Sequence, residues 1–376
     1  MKIALVEPFF SGSHKTWATD LQRFSQHEVA LFTMPGRHWK WRMHGGAIHL
    51  AEQYLQSNFK ADLFLVSDML DVTTFLSLIR HQHPNPPLAL YFHENQLSYP
   101  WSPNDQDVSL KRDHHYAFIN YSSALAADYL LFNSSFHQTI FLNDLYAFLQ
   151  QYPDFRDTHR IEQLRNKSQT LPLALNLRSL SQQGQRRQDG PPLIVWNHRW
   201  EYDKGPDDFF QLLFRLKSDG HDFEVAILGE QYQQQPPIFE KAKKELANQI
   251  VHYGFAKNRA EYISWLWQSD ISLVTCQQDF FGISVVEAIY CQCFPILPKR
   301  LAYPAHIPAE FQGYHLYRDL EEAYRMLVNA VDKIDRIRSS SGYQNFVAHY
   351  DWSILASQYD KCFSDLLGEK RPYANH

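Results

Sequence analysis

In the second half of the chain, DFFGISVVEA (residues 279–288) sets two acids eight positions apart, Asp279 and Glu287, with Gly282 between them. A loop leaving a strand would carry Asp279, Gly282 would open a helix, and Glu287 would sit about a turn and a half inside it. Backbone N–H groups at a helix start favour an anion, and carboxylates beside them accept hydrogen bonds from sugar hydroxyls. A nucleotide sugar offers both a diphosphate and hydroxyls. The plainer reading is that Asp279 caps the helix and Glu287 faces solvent. A second group lies in NHRWEYDKG (197–205), where Arg199 and Lys204 stand five positions apart between a predicted strand and a predicted helix. A planar guanidinium and a mobile ammonium in one loop suit a single diphosphate. The alternative is a solvated loop with Arg199 paired to Glu201 or Asp203.

The first half adds FHENQLSYP (92–100), again just after an apolar strand, where His93 could orient a sugar or move a proton near neutral pH. A lone histidine is as readily structural. The loop around Gly12, after the first strand, is its natural neighbour. No GxGxxG and no GxxxxGK[ST] occurs, so neither the dinucleotide fingerprint nor a Walker loop is present. GRHWKWRMH (36–44) carries Arg37, Lys40 and Arg42 without an acid, interleaved with Trp39 and Trp41. Such cations contact phosphates and such indoles stack on bases, or the indoles simply pack while the cations stay in solvent. His114-His115 has no second ligand cluster, and Cys291-Gln-Cys293 lacks the usual zinc spacing and a second pair, so no metal site is expected.

These loops need elements to hold them. Short apolar runs at 2–6, 28–33, 62–66, 88–92 and 129–132 read as strands, with a helix from about Thr16 to Phe24 and mixed segments between the later runs. Residues 179–192 are polar and rich in Gln, Gly and Pro, a linker composition. A second series follows, with strands at 193–196, 223–228, 250–253, 271–275 and 294–297 and helices near 207–218, 237–247 and 259–268 and from 282. Two further helices are expected at 319–339 and 352–366. Strands alternating with helices imply two α/β, doubly wound, Rossmann-like domains, with a cleft between the carboxyl ends of their strands. The boundaries drawn are 1–180, a linker at 181–192, 193–350, and a terminal helix at 351–376 that packs back on the first domain.

The 376 residues are 44% hydrophobic and 20% charged, which excludes collagen, coiled coil and disorder. Aromatics reach 15%, a hint of flat ligands such as sugars and bases. A net charge of −5 argues against non-specific coating of nucleic acid but not against a local basic patch. Few cysteines, no leader-like start and no run of about 18 apolar residues point to a cytoplasmic enzyme without a membrane partner.

The Arg-x4-Lys loop, the acid-x7-Glu segment and the two α/β halves together resemble retaining glycosyltransferases of the GT-B fold, in the group sharing the E-x7-E motif. EPFFSGSHK (7–15), HWKW (38–41), YFHENQLSYP (91–100), LFNSSF (131–136), WNHRWEYDKGP (196–206), FFGISVVEAIYCQCFPILPK (280–299) and YPAHIPAE (303–310) are similar to the tRNA-queuosine mannosyltransferases. That resemblance covers both domains. It implies GDP-mannose as donor and the cyclopentenediol of queuosine in tRNA(Asp) as acceptor, with retention at the anomeric carbon and no metal or other cofactor. It gives the diphosphate to Arg199 and Lys204, the ribose hydroxyls to Glu287, and the sugar to Asp279, which stands where the group usually has Glu. His93 would sit beside the reacting sugar. Gly12, Ser13, Phe281, Gly282 and Ile283 join the donor residues. His14, Glu94 and Asn95 join Arg37, Trp39, Lys40, Trp41 and Arg42 on the acceptor side. A shared fold does not fix the acceptor. A free nucleoside, lipid or polysaccharide acceptor remains a second reading, and a non-enzymatic tRNA- or nucleotide-binding module a third. Oligomeric state is not legible.

Overall fold

Apolar runs too short to be helices pair as parallel strands in two separate sheets. The computed structural model describes residues 1–81, 86–100, 114–182, 185–230 and 236–368. The chain forms two compact units, Met1–Leu175 together with the chain from Trp352 onward, and Asn176–Asp351.

The first unit holds strands β1 (Lys2–Phe10), β2 (Glu28–Pro35), β3 (Leu63–Ser67), β4 (Leu88–Phe92), β5 (Tyr129–Phe132) and β6 (Ser168–Thr170), paired in the order β2-β1-β3-β4-β5-β6. Its helices are α1 (Gly12–Phe24), α2 (Trp39–Gln56), α3 (Val72–Ile79), α4 (His115–Ala126), α5 (Ser135–Gln150) and α6 (Arg160–Asn166). β3, β4 and β5 are buried along their whole length, as strands covered on both faces must be. Helix α2 buries Met43, Ala47, Leu50, Ala51 and Tyr54, one face at helical spacing. It passes close to β1 at Gly46, where a Cβ would stand 3.0 Å from Pro8 Cβ.

The second unit holds β7 (Leu193–Trp196), β8 (Glu224–Ile227), β9 (Ile250–Tyr253), β10 (Ile271–Leu273), β11 (Phe294–Pro298) and β12 (Leu316–Tyr317), in the order β12-β11-β10-β7-β8-β9. Read from the other edge, this is the 3-2-1-4-5-6 order of the Rossmann sheet. Its longer helices are α7 (Pro206–Ser218), α8 (Ile238–Glu245), α9 (Arg259–Gln268), α10 (Ile283–Tyr290), α11 (Leu320–Asp332) and α12 (Ile334–Ser339). The single helix expected over 319–339 is thus two. The last helix, α13 (Trp352–Gly368), belongs to the first unit.

The expected linker belongs largely to the second unit. Arg186 donates to Ile337 O at 2.6 Å, and Arg187 pairs with Glu224 at 2.6 Å. The chain passes between units at 175/176 and again at 351/352. Most aromatics fill cores: Trp196, Trp200, Trp352, Phe64 and Phe132 are fully buried. Among the described residues no helix is long and apolar enough to cross a membrane.

Candidate functional site

The second sheet reverses its strand order between β7 and β10. Open parallel sheets hold ligands outside the carboxyl ends of their strands at such a point. The loops leaving there are 197–205 and 274–282.

Two indoles pin the first loop. Trp196 Nε1 donates to His198 O at 3.0 Å, and Trp200 Nε1 donates to Leu228 O at 2.9 Å. Gly205 ends the loop at φ +66°, and a Cβ there would stand 2.3 Å from Thr275 O. Only glycine lets the chain turn there so close to the neighbouring loop. Pro206 then opens α7, with Asp207 and Asp208 in its first turn. This leaves Lys204 only 9% exposed. Its ammonium donates to Gln278 O at 2.8 Å and lies 3.1 Å from Asp203 and 4.0 Å from Asp279, tying the two loops together. Arg199 is half exposed and pairs with Glu201 at 3.1 Å. The loop's two cations therefore have different neighbours here, and the plainer pairing of Arg199 is the one formed.

In the second loop Asp279 accepts a hydrogen bond from the Tyr303 hydroxyl at 3.1 Å. The cap position of α10 is Gly282 at φ +89°, not Asp279. Glu287 is buried, pairs with Arg259 and accepts from the Tyr262 hydroxyl at 2.8 Å. Both halves of the plainer reading of 279–287 therefore fail. Burial first, then the charge of Glu287, pushes the Tyr262 phenol well up, so it remains a donor. Asn197 Nδ2 donates to Ser284 O at 2.7 Å, which fixes the first turn of α10 to the first loop. His198, buried beside Lys204, is held down at about 4 by burial and then by that ammonium, and so is neutral. Burial pushes the neighbouring Cys276 thiol up to about 12, which removes it as a nucleophile.

The first sheet reverses between β1 and β3. There Glu7 is fully buried, accepting from Phe9 N–H at 2.8 Å through Oε1 and facing His14 Nδ1 at 3.0 Å through Oε2. Burial opposes charge on His14, but Glu7, with Asp68 and Glu94 behind it, raises it to about 9. His14 is an imidazolium at neutral pH. His93 tilts over it with ring centres 4.3 Å apart and meets Trp17 edge-on at 4.6 Å. Burial, then the charge of His14, holds His93 well below its usual value. The His93 Nε2 is buried with no hydrogen-bond partner. Its backbone is sewn in place, the N–H donating to Asp68 at 2.8 Å and the carbonyl accepting from Asn133 at 2.8 Å. Glu7, His14 and His93 place ligand atoms within 4.8 Å of one another, a group that could hold a cation.

The sequence of residues 2–175 matches the family model described as tRNA-queuosine alpha-mannosyltransferase N-terminal, and residues 178–338 match glycosyl transferases group 1. The tRNA-queuosine alpha-mannosyltransferase of Drosophila melanogaster is 33% identical over 360 residues, covering 92% of this chain and 91% of that protein. This chain belongs to the tRNA-queuosine alpha-mannosyltransferase family. Solved structures of the same fold include sucrose-phosphate synthase from Thermosynechococcus elongatus (TM-score 0.70, 13% identity, 98% of this chain and 99% of that one). A glycosyltransferase from Rickettsia africae also matches (TM-score 0.64, 13% identity, 98% and 99%). The fold is that of the GT-B glycosyltransferases.

For this member of the mannosyltransferase family, the structure gathers Lys204, Asp279, Gly282 and Glu287 at one switch point, with Phe281 buried and Ile283 half-buried at the start of α10. Gly12 (φ +49°) and Ser13 are exposed at the start of α1, close in sequence to His14. Two acceptor-side residues need correction. Asn95 is 0% exposed and its amide is spent on Leu97 N, Ser98 N and His137, so it shapes the loop rather than presenting a contact. Arg42 is buried and donates through Nε to Pro35 O at 3.1 Å, because α2 turns that face inward. Arg37 and Trp41 are exposed, Lys40 lies 5.6 Å from the Trp39 ring centre, Trp39 packs on Tyr116, and Glu94 is half-buried. Sequence reading missed Glu7, Asp68, Arg259, Tyr262 and Tyr303. Glu7 follows the apolar run 2–6 within β1 and Asp68 follows the apolar β3, a signal that could have found them. The other three lie in helices and turns with no periodic mark.

Proposed function

We propose that the chain transfers mannose from GDP-mannose to the cyclopentenediol of queuosine in tRNA(Asp), with retention at the anomeric carbon and without a metal. The observation that supports this most is the likeness to the Drosophila mannosyltransferase across both units. The second unit is the donor side. Lys204 places a buried positive charge where a diphosphate would leave, and the first turn of α10 adds backbone N–H groups to it. Glu287 keeps lone pairs beyond those used by Arg259 and Tyr262, and these receive ribose hydroxyls. Asp279 takes hydroxyls of the sugar. Arg199 exchanges Glu201 for a phosphate oxygen when the donor arrives.

The first unit is the acceptor side. His93, neutral and with an unsatisfied Nε2, meets a polar group of substrate. His14 is a fixed cation beside it. The Glu7–His14–His93 group stays metal-free, because the imidazolium and the Phe9 N–H already satisfy Glu7. The leaving phosphate accepts the acceptor's proton on the face from which it departs, so no protein carboxylate acts as nucleophile.

The test is mass spectrometry of tRNA nucleosides after incubation of queuosine-containing tRNA with a panel of nucleotide sugars, with and without EDTA. A mannosyl-queuosine mass appearing with GDP-mannose and surviving EDTA is expected. No transfer to tRNA, with transfer to a free nucleoside instead, would favour another acceptor. Loss on chelation with rescue by Mg²⁺ or Mn²⁺ would overturn metal independence.

A further inference from the structure

A short turn outside both candidate loops touches the donor loop at two points. Residues Tyr303–His306 form a 3₁₀ turn with Pro304 at its start. Tyr303 is 0% exposed and His306 is 1% exposed. At one end the Tyr303 hydroxyl donates to Asp279 Oδ2 at 3.1 Å. At the other, His306 Nε2–H donates to Phe281 O at 2.6 Å. Since Nε2 carries the proton, Nδ1 is the acceptor, and the Tyr350 hydroxyl stands 3.2 Å from it as donor. The tautomer is thereby fixed from both sides. The Phe281 ring is held edge-on by His306 at 5.3 Å and by Tyr350 at 5.0 Å. Tyr303 also crowds Gly282, where a Cβ would stand 3.0 Å from its ring.

These contacts act on two different groups. The first fixes one carboxylate oxygen of Asp279 and leaves the other for a ligand. The second fixes a peptide plane. In a trans peptide the N–H points opposite to the carbonyl. A Phe281 carbonyl drawn toward His306 therefore turns the Gly282 N–H away from it, at the start of α10 where an anion is favoured.

We propose that the Tyr303–His306 turn is a positioning clamp for the transferred sugar: through Asp279 and the Phe281–Gly282 peptide it sets the reacting geometry, while the nucleoside is held elsewhere, by Glu287. The clamp rests on the donor reading given above. Its two side chains touch no substrate and act only through the loop. Their charge states suit the task. Burial holds His306 neutral at about 4, and burial, then the charge of Asp279, keeps the Tyr303 phenol protonated.

The experiment compares full-length wild type with Tyr303→Phe, His306→Leu and His306→Gln. Tyr303→Phe keeps the ring and removes one oxygen, so the core packing stays. His306→Gln returns an amide donor near the Nε2 position, whereas His306→Leu returns none. The readouts are GDP affinity by calorimetry, and kcat and KM for GDP-mannose with queuosine-containing tRNA. Tyr303→Phe, which acts only on Asp279, should keep GDP affinity within about twofold and lose kcat by on the order of ten- to a hundredfold, the usual cost of misplacing a reacting group. His306→Leu should lose kcat likewise and weaken GDP binding by a smaller factor, because the peptide it orients also serves the diphosphate of GDP. His306→Gln should recover most of the loss. Wild-type binding of GDP with unchanged kcat in Tyr303→Phe overturns the clamp and leaves the donor reading intact. So does a fall in the GDP affinity of Tyr303→Phe that parallels its fall in kcat. Absence of GDP binding by the wild type overturns the donor reading and the clamp with it.

Discussion

Lys204 shows how much one buried charge can carry. Its ammonium sits between Asp203 and Asp279 with the Gln278 carbonyl as a third oxygen neighbour, and under the proposed donor reading it is a preorganised charge for a leaving diphosphate. Lys204→Ala should raise the barrier to transfer by about 2–4 kcal/mol, read as kcat/KM. Arg199→Ala should cost less, since that guanidinium is half exposed and already paired. Equal losses would show that both cations hold the phosphates alike. Glu287→Ala should instead weaken GDP binding, and unchanged GDP affinity would remove its ribose role. A second residue-scale prediction concerns pH. His14 is raised from 6.5 to about 9 in the folded chain. A histidine raised on folding stabilises fully below its unfolded value and loses that contribution as pH climbs through the folded one. The window is therefore pH 6.5 to 9, and the amount about 3 kcal/mol. Glu7→Gln removes the charge responsible. The difference in unfolding free energy between wild type and Glu7→Gln should shrink across that window, and a constant difference would place the pair's worth elsewhere.

The loops, rather than the regular elements, decide where these side chains go. Gly205 needs a positive φ and stands against Thr275 O. Gly205→Ala should therefore destabilise the chain by about 2–4 kcal/mol in chemical denaturation, from left-handed strain plus the clash. A neutral substitution would mean the loop relaxes at little cost. The regular elements were largely readable: apolar runs such as 88–92 and 129–132 coincide with β4 and β5, and the 207–218 and 259–268 helices fall within a residue of α7 and α9. β6 (SQT) and the two-residue β12 have no apolar run to announce them and exist by pairing with β5 and β11. The cationic segment at 36–44 read as an open patch, yet α2 begins at Trp39, so helical geometry turns Arg42 inward and leaves Trp41 outside. The spacing of Asp279 and Glu287 was visible as a motif. That Tyr303, Arg259 and Tyr262 converge on those two acids depends on tertiary packing, which no local pattern encodes.

At the scale of the molecule, the basic patch of the first unit is smaller than its sequence suggests, with Arg37 exposed and Lys40 half-buried over the Trp39 and Tyr116 rings. Replacing both with serine should reduce tRNA affinity and lower the slope of log affinity against log salt by about 0.7–0.9 for each phosphate no longer neutralised. GDP affinity should stay as it was. A titration at several salt concentrations reads both, and an unaltered slope would take the patch off the tRNA path. The division of the chain carries a last consequence, for synthesis. The second unit is one uninterrupted stretch, Asn176–Asp351, whereas the first is closed only by α13, which follows that stretch. Trp17 donates to the Tyr359 hydroxyl at 3.2 Å, Gln26 N–H to Asp360 at 3.0 Å, and the Tyr129 hydroxyl to Leu366 O at 3.0 Å. During translation the unit whose strands are made first must therefore wait for α13 to leave the ribosome, while the unit encoded between them can already be complete. A premature stop just after Asp351 would spare every residue of the 197–205 and 274–282 loops and damage instead the unit whose strands were translated first.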